Sequence, residues 1–203
     1  MKARLTRDSI ERLLAAVFSA AMVWRVATPI LEGRAHWIIA LICVAELLVL
    51  FFLLIRRPAQ TVSVSNRDWA LAFAASIVPT LIAPGGEPLI NDWTAGVLFV
   101  GAILAQIFAK LSLNRSFGIV PANRGVVTSG FYGVVRHPVY ATYLLGHVAF
   151  LLTNPTPWNA AIYALAWTLQ IVRMHAEEKL LSQDPAYRDY KNAVRYRIVP
   201  GVF

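Results

Sequence analysis

Six apolar runs, at residues 13–31, 36–55, 69–83, 93–113, 138–152 and 158–174, point this chain to a bundle of membrane helices. A full crossing takes about 20 residues. The second and fourth runs reach that length and the first nearly does. The third, fifth and sixth are shorter, and are expected to tilt little, to thin the bilayer locally or to stop part-way. Composition agrees: 58% of the residues are hydrophobic and 15% are charged, whereas a water-soluble domain carries about 25% charged residues.

Charge placement orients the runs. Segments 1–12, 56–68, 110–136 and 173–203 hold 17 of the 19 Lys and Arg. The loops 84–92 and 153–157 hold none, and only Arg25 and Arg34 fall elsewhere. This is the positive-inside pattern with both termini cytoplasmic. The net charge of +8 therefore reads as topology and attraction to anionic lipid, not as nucleic-acid binding. The basic start followed by an apolar run to Leu31 reads as a signal anchor, not a cleaved signal peptide. The lone Cys43 allows neither an internal disulfide nor a thiolate metal cluster, and no metal is expected.

The chain divides at residues 113 and 114 within one integrated domain. Residues 1–113 form a four-helix membrane region with few polar groups. Arg25 and Glu46 are the exceptions, near the middle of neighbouring antiparallel runs, and an ion pair between the two helices is expected. Pro79 should kink or end the third run. Residues 114–135 carry Gly118, Gly125, Gly130 and Gly133 with Pro121, too Gly-rich for a helix. They read as a structured cytoplasmic loop, long enough to be a lid or binding loop. Pro138 then opens a helix, and Asn154-Pro155-Thr156-Pro157 turns the chain into a second one. In the tail, Tyr187, Tyr190 and Val194 share a face displaced from Arg188, Lys191 and Arg195. That pattern predicts an amphipathic interfacial helix.

Chemistry-bearing residues gather where this C-terminal hairpin opens. His137 and Tyr140 start its first helix, and Arg173 and Glu177 lie near the end of its second. Arg173 and Glu177 are four residues apart and share a face. Taken alone they read equally well as a surface ion pair.

Four stretches together resemble the isoprenylcysteine carboxyl methyltransferase family and its phospholipid methyltransferase relatives. They are Val127-Thr128-Ser129-Gly130-Phe131-Tyr132, Arg136-His137-Pro138-Val139-Tyr140, Glu177-Glu178, and a tail with Tyr187 and Tyr190 that ends in Val199-Pro200. The resemblance covers residues 114–203. It implies an all-α, polytopic integral membrane enzyme with about six membrane helices, a C-terminal helix hairpin and a cytoplasmic cofactor-binding region. It also implies S-adenosyl-L-methionine as the methyl donor. Carried over by position, Arg124, Gly125, Val126, Val127, Tyr132, His137, Pro138, Val139, Tyr140 and Glu177 would bind the cofactor, and Arg173 would face the acceptor as the catalytic residue. The stretch 182–185 departs from the family pattern and carries no assignment.

The expected partner is a membrane lipid or lipidated substrate. A carboxylate acceptor is already ionised near neutral pH, and Arg173 suits one as a planar fork. O-methylation of a prenylcysteine or of an isoprenoid or fatty acid is therefore the leading expectation. N-methylation of a phospholipid amine is the alternative. A sterol-reductase-like NADPH enzyme and a non-enzymatic membrane protein stand further off. Small size and clean topology point to a bacterial inner membrane over the endoplasmic reticulum. Neither the oligomeric state nor the acceptor's identity is legible.

Overall fold

The computed structural model describes residues 2–33 and 37–203. Among them are seven α-helices: α1 (Lys2–Leu31), α2 (Trp37–Ile55), α3 (Asn66–Ile77), α4 (Asp92–Leu113), α5 (Pro138–Thr153), α6 (Pro157–Leu181) and α7 (Pro185–Ala193). Five of the six apolar runs are helical over their described residues; the third is α-helical only to Ile77 and leaves helical structure after Leu81. The architecture is all-α as expected. Arg34 and His36 lie outside the described residues.

Helix boundaries follow local chemistry. The Ser65, Asn91, Thr156 and Asp184 side chains accept backbone N–H bonds at the starts of α3, α4, α6 and α7, offsetting the unpaired donors of a first turn. Pro138, Pro157 and Pro185 open α5, α6 and α7, where a missing N–H costs nothing. As predicted, Pro79 ends α3 early: the chain leaves it for a 3-10 turn at Val78–Leu81. The only strand pairing among the described residues is a two-residue antiparallel ladder, β1 (Thr61–Val62) against β2 (Ala122–Asn123). It ties the α2–α3 connection to the Gly-rich loop.

Two stretches of 25 residues each, Arg7–Leu31 and Asp92–Ser116, are long and apolar enough to cross a membrane. Ile39–Ile55 and Pro138–Thr153 are apolar but shorter. α3 has 12 residues, a length of about 18 Å against a hydrocarbon core of about 30 Å. Two of the six expected passes therefore qualify outright. The outer surface is apolar: on α1 Leu13, Val17 and Trp24 are 64%, 61% and 68% exposed, and on α4 Trp93 and Phe108 are 81% and 57% exposed. So large an apolar belt fits contact with lipid.

α5 packs mainly on α4 and α6 mainly on α3. The two successive helices thus find their principal partners outside the expected hairpin. At the end of the bundle away from the Gly-rich loop, Asn159, fully buried, accepts from Ala83 N (3.1 Å) and donates to Ala83 O (2.8 Å) and Asn154 O (2.9 Å). At the loop end a buried ion cluster does the joining. Arg56, just after α2, pairs with Asp8 (3.0 Å) and Glu11 of α1. Arg124 of the loop pairs with the same two carboxylates at 2.8 and 3.0 Å. Glu11 also accepts from Ile119 N (3.0 Å) and Val120 N (3.2 Å).

The cluster couples α1, α2 and the loop, so removing one member leaves the others charged and buried. Glu11→Ala is expected to lose roughly 3–5 kcal/mol. Chemical unfolding in detergent micelles checks this, and a loss under about 1 kcal/mol would contradict the coupling.

Candidate functional site

Glu177 and Glu178 are adjacent on α6 and turn to different partners. Glu178 is 4% exposed and accepts from three basic side chains: Arg136 Nε to Oε1 (2.8 Å), His137 Nε2 beside Oε1 (3.2 Å) and Arg197 Nε to Oε2 (3.1 Å). Arg136 also donates to the carbonyls of Val194 (2.8 Å) and Arg195 (2.6 Å). The backbone N–H groups of Arg136 and His137 bond to the carbonyls of Tyr196 (2.9 Å) and Arg197 (2.8 Å). The start of α5, the end of α6 and the returning tail are thereby stitched at one carboxylate. Burial raises the Glu178 carboxyl, but the hydrogen bonds and charges of His137 and Arg136 outweigh it and hold the group well below the usual carboxylate range.

Glu177 is half-buried and accepts from the Tyr140 hydroxyl through Oε2 at 3.2 Å. Arg173 is 9% exposed and lies over the Tyr140 ring at 5.5 Å. It donates through Nη2 to Ile119 O (2.5 Å), while its Nε, buried, has no partner. Arg173 and Glu177 form no ion pair within 4 Å, so the surface-bridge reading of this pair is not what the fold adopts. His137 meets the edge of Tyr140 at 5.5 Å.

The Gly-rich loop walls the other side. Gly125 has φ +98°, a conformation that side chains oppose, and its N–H bonds to Asn123 Oδ1 at 2.9 Å. At Gly118 a Cβ would fall 2.3 Å from Arg124 Nη1, so only glycine lets Arg124 reach its buried carboxylates. α7 does not lie with its apolar face in headgroups, as the tail pattern suggested. Its Tyr187 and Tyr190 pack on Tyr132, Val126 and Val127, while Arg188 and Lys191 stay exposed. Tyr190 donates to Tyr132 O at 2.7 Å, and the buried Tyr187 hydroxyl has no protein partner. Burial pushes the Tyr132 and Tyr187 phenols well up and Tyr190 to about 12, so all three remain neutral.

These elements enclose a cavity of about 490 Å³. Of the residues assigned by resemblance, Arg124, Gly125, Val126, Val127, Tyr132, His137, Val139, Tyr140, Arg173 and Glu177 all line it. Pro138 does not; it is buried at the start of α5. Arg124 lines the wall with its guanidinium already committed to Asp8 and Glu11. The cavity continues into the bundle past Tyr143, His147 and Gln170 to Glu46 and Arg25. Arg25 and Glu46 make no ion pair within 4 Å, so the expected interhelical bridge is absent and both face the cavity instead. Sequence reasoning missed Asp8, Glu11 and the distinct role of Glu178. An acidic pair spaced by three on an otherwise basic helix start was the available signal for the first two.

The apolar outer belt and the long apolar helices fit a membrane protein in contact with lipid, and the cavity within it is lined by polar as well as apolar residues. The isoprenylcysteine carboxyl methyltransferase (ICMT) family model matches residues 95–183, from within α4 to just past α6. Over that segment the chain is similar to this family of methyltransferases. No curated protein matches the chain.

Glu178→Gln should destabilise the protein by roughly 3–5 kcal/mol at pH 7, because Arg136 loses a buried partner. The sign with pH follows from the depressed carboxyl. Its contribution is complete above the unfolded carboxylate value of about 4.3 and fades as pH falls below it toward the lower folded value. The stability gap between the two proteins should therefore stay constant from pH 7 to about 4.3 and narrow as pH falls further toward 3; a gap that does not narrow would contradict the assignment.

Proposed function

We propose that this protein transfers a methyl group from S-adenosyl-L-methionine to the carboxylate of a lipid-like acid. The observation that carries the reading is the single cavity in which Arg173, Glu177, Tyr140, His137 and the loop 124–127 meet. Its volume lies within the range of small-molecule sites, about 300–1,000 Å³. The residues fit the donor's chemistry. Glu177 has one carboxylate oxygen bonded to Tyr140 and can accept from an ammonium, a charge-assisted bond of the stronger kind. The unpartnered Tyr187 hydroxyl and the flat faces of His137, Tyr140 and Tyr132 suit a nucleoside.

When bound, S-adenosylmethionine supplies a methyl group activated on sulfonium sulfur and leaves as the thioether S-adenosylhomocysteine. Arg173 holds the acceptor. Its guanidinium is anchored at Ile119 O and retains an unpartnered Nε–H. A carboxylate oxygen attacks as the anion, so the ester forms without a general base. Arg173 would disfavour an ammonium acceptor by like charge, which favours the carboxylate over a phospholipid amine. The protein's contribution is position and dry surroundings; the donor carries the chemical activation.

We further infer six passes with both termini cytoplasmic. The basic segments support this. So does the alternation of helix ends: Asp8 meets Arg56, and Arg136 meets Glu178, at the loop end, while Ala83 and Asn159 meet at the other. In a Cys43→Ala background, single cysteines at Glu87 and Lys191 should label from opposite faces of sealed vesicles. Labelling of both from one face would reject the topology.

Two variants separate the donor and acceptor roles. Glu177→Gln should weaken S-adenosylhomocysteine binding by roughly 1.5–3 kcal/mol. Arg173→Lys keeps the charge but loses the fork, and should cut turnover at least tenfold with that affinity nearly intact. Calorimetry and methyl-transfer rates on the same folded preparations decide. Unchanged affinity in the first variant removes Glu177 as a ligand, and normal turnover in the second removes Arg173 from the site.

A further inference from the structure

A second hollow, of about 470 Å³, lies outside the cavity described above, at the loop end of the α3–α6 seam. Residues 61–65 form its floor, with Arg67 and Asp68 of the first turn of α3 on one side and Lys179 and Leu180 at the end of α6 on the other. Its charges are not balanced within the protein. Asp68 accepts from the buried Ser63 hydroxyl. Arg67 and Lys179 are exposed, and neither side chain makes a hydrogen bond or an ion pair within 4 Å to a described residue.

Deeper along the seam the same two helices present apolar side chains. Ile77 follows Arg67 by ten residues on α3, about 15 Å along the axis. Ile171 precedes Lys179 by eight on α6, about 12 Å. Both are exposed, and so is Val64 at the rim of the hollow. α3 and α6 pack on each other, so the two apolar stripes lie side by side. Half of a hydrocarbon core is about 15 Å. The two cations therefore stand one leaflet's depth from the apolar stripes.

An occupant that satisfies this face carries an anion at the hollow and hydrocarbon below it. A phospholipid has both. Its phosphate oxygens accept charge-assisted bonds from guanidinium and ammonium donors. Lys and Arg stems lie along apolar surface while their heads stay at headgroup level. Arg67 and Lys179 outnumber Asp68 by one charge, which favours an anionic headgroup over a zwitterionic one that brings its own cation. The hollow also adjoins the cavity walls. Thr61 and Val62 pair with Asn123 and Ala122, and the residues that follow, 124–127, line the cavity. Lys179 follows Glu177 and Glu178 directly on α6.

We propose that this hollow binds an anionic phospholipid, with its headgroup between Arg67 and Lys179 and its chains along the α3–α6 seam, and that the bound lipid steadies the cavity wall through the β1–β2 ladder. The proposal rests on the reading of the bundle as membrane-spanning with its loop end at the headgroups, and is independent of the methyl acceptor.

The test uses the full chain in neutral detergent micelles with dioleoyl phosphatidylglycerol or dioleoyl phosphatidylcholine at equal mole fraction. Native mass spectrometry counts retained lipid, and thermal unfolding is followed in the same samples. The wild type should hold phosphatidylglycerol about tenfold more tightly and melt at a higher temperature with it. Arg67→Gln combined with Lys179→Gln should abolish both differences; the two side chains are exposed, so the fold should survive. Arg188→Gln combined with Lys191→Gln, on the exposed face of α7, should preserve them. Equal retention of the two lipids by the wild type overturns the site. A preference that survives the Arg67 and Lys179 changes, or that the α7 changes remove equally, also overturns it. Inorganic phosphate that protects as well as the lipid reveals a free-anion site and overturns the lipid assignment. S-adenosylhomocysteine affinity should rise about threefold with phosphatidylglycerol, by the reciprocity of coupled sites; unchanged affinity with the lipid retained overturns the coupling to the cavity wall. A retained lipid preference with no S-adenosylhomocysteine binding rejects the donor reading and leaves the lipid site standing. Topology is read separately, by the labels at Glu87 and Lys191.

Discussion

The site end of this molecule depends on the Glu178 carboxylate. Three basic side chains from two segments converge on it: Arg136 and His137 at the start of α5, and Arg197 in the tail. A buried charge with one partner is a liability, because desolvation can exceed the attraction gained. With three donors around two oxygens the balance changes, and the depressed Glu178 carboxyl is its expression. The tail is also held by apolar packing, Tyr187 and Tyr190 on Tyr132 and Ile198 on Tyr140 and Met174. Its backbone carbonyls at Tyr196 and Arg197 accept from the N–H groups of residues 136 and 137, and α7 packs on the loop through Tyr187 and Tyr190.

This arrangement explains how neighbouring glutamates do different work. Successive residues on a helix point about 100° apart. The rotation aims Glu178 at the α5 start and Glu177 at the cavity. Glu178 is saturated by protein and has nothing left for a ligand. Glu177 keeps capacity because it is bonded to a single hydroxyl. A similar division holds among the arginines. Arg124 and Arg136 line the cavity with their charges already paired, whereas Arg173 is bonded only to a carbonyl. Lining a cavity and being free to bind within it are different properties, and the hydrogen-bond partners separate them.

That distinction marks what the sequence could disclose. Apolar periodicity and length were enough to place the helices, and Pro79, Pro138 and Gly125 acted locally, as backbone chemistry requires. The cavity-lining set was legible through the resemblance, because motif order carries positions. Partnerships across the chain were not. Arg124 reads as a ligand until Asp8 and Glu11, more than a hundred residues earlier, are seen to take it. Arg25 and Glu46 read as a pair because both sit mid-run on neighbouring helices; helix rotation, which spacing alone does not supply, turns them both toward the cavity. The tail failed for a related reason. An amphipathic stripe reports that a face is covered, and Tyr187, Tyr190 and Val194 are covered by Tyr132 and the loop, not by headgroups.

The two buried ion systems also account for the cavity between them. A Gly-rich loop at a membrane surface carries backbone donors that must be satisfied. Glu11 takes the N–H groups of Ile119 and Val120 from the α1 side, and Ile119 O is taken by Arg173 from the α6 side. Being held from both flanks, the loop has no need to collapse inward for partners. The Glu178 system fixes the opposite wall. What remains is a space whose polar groups near the surface are mostly paired, while the buried Gln170 Oε1 deeper in the bundle is not.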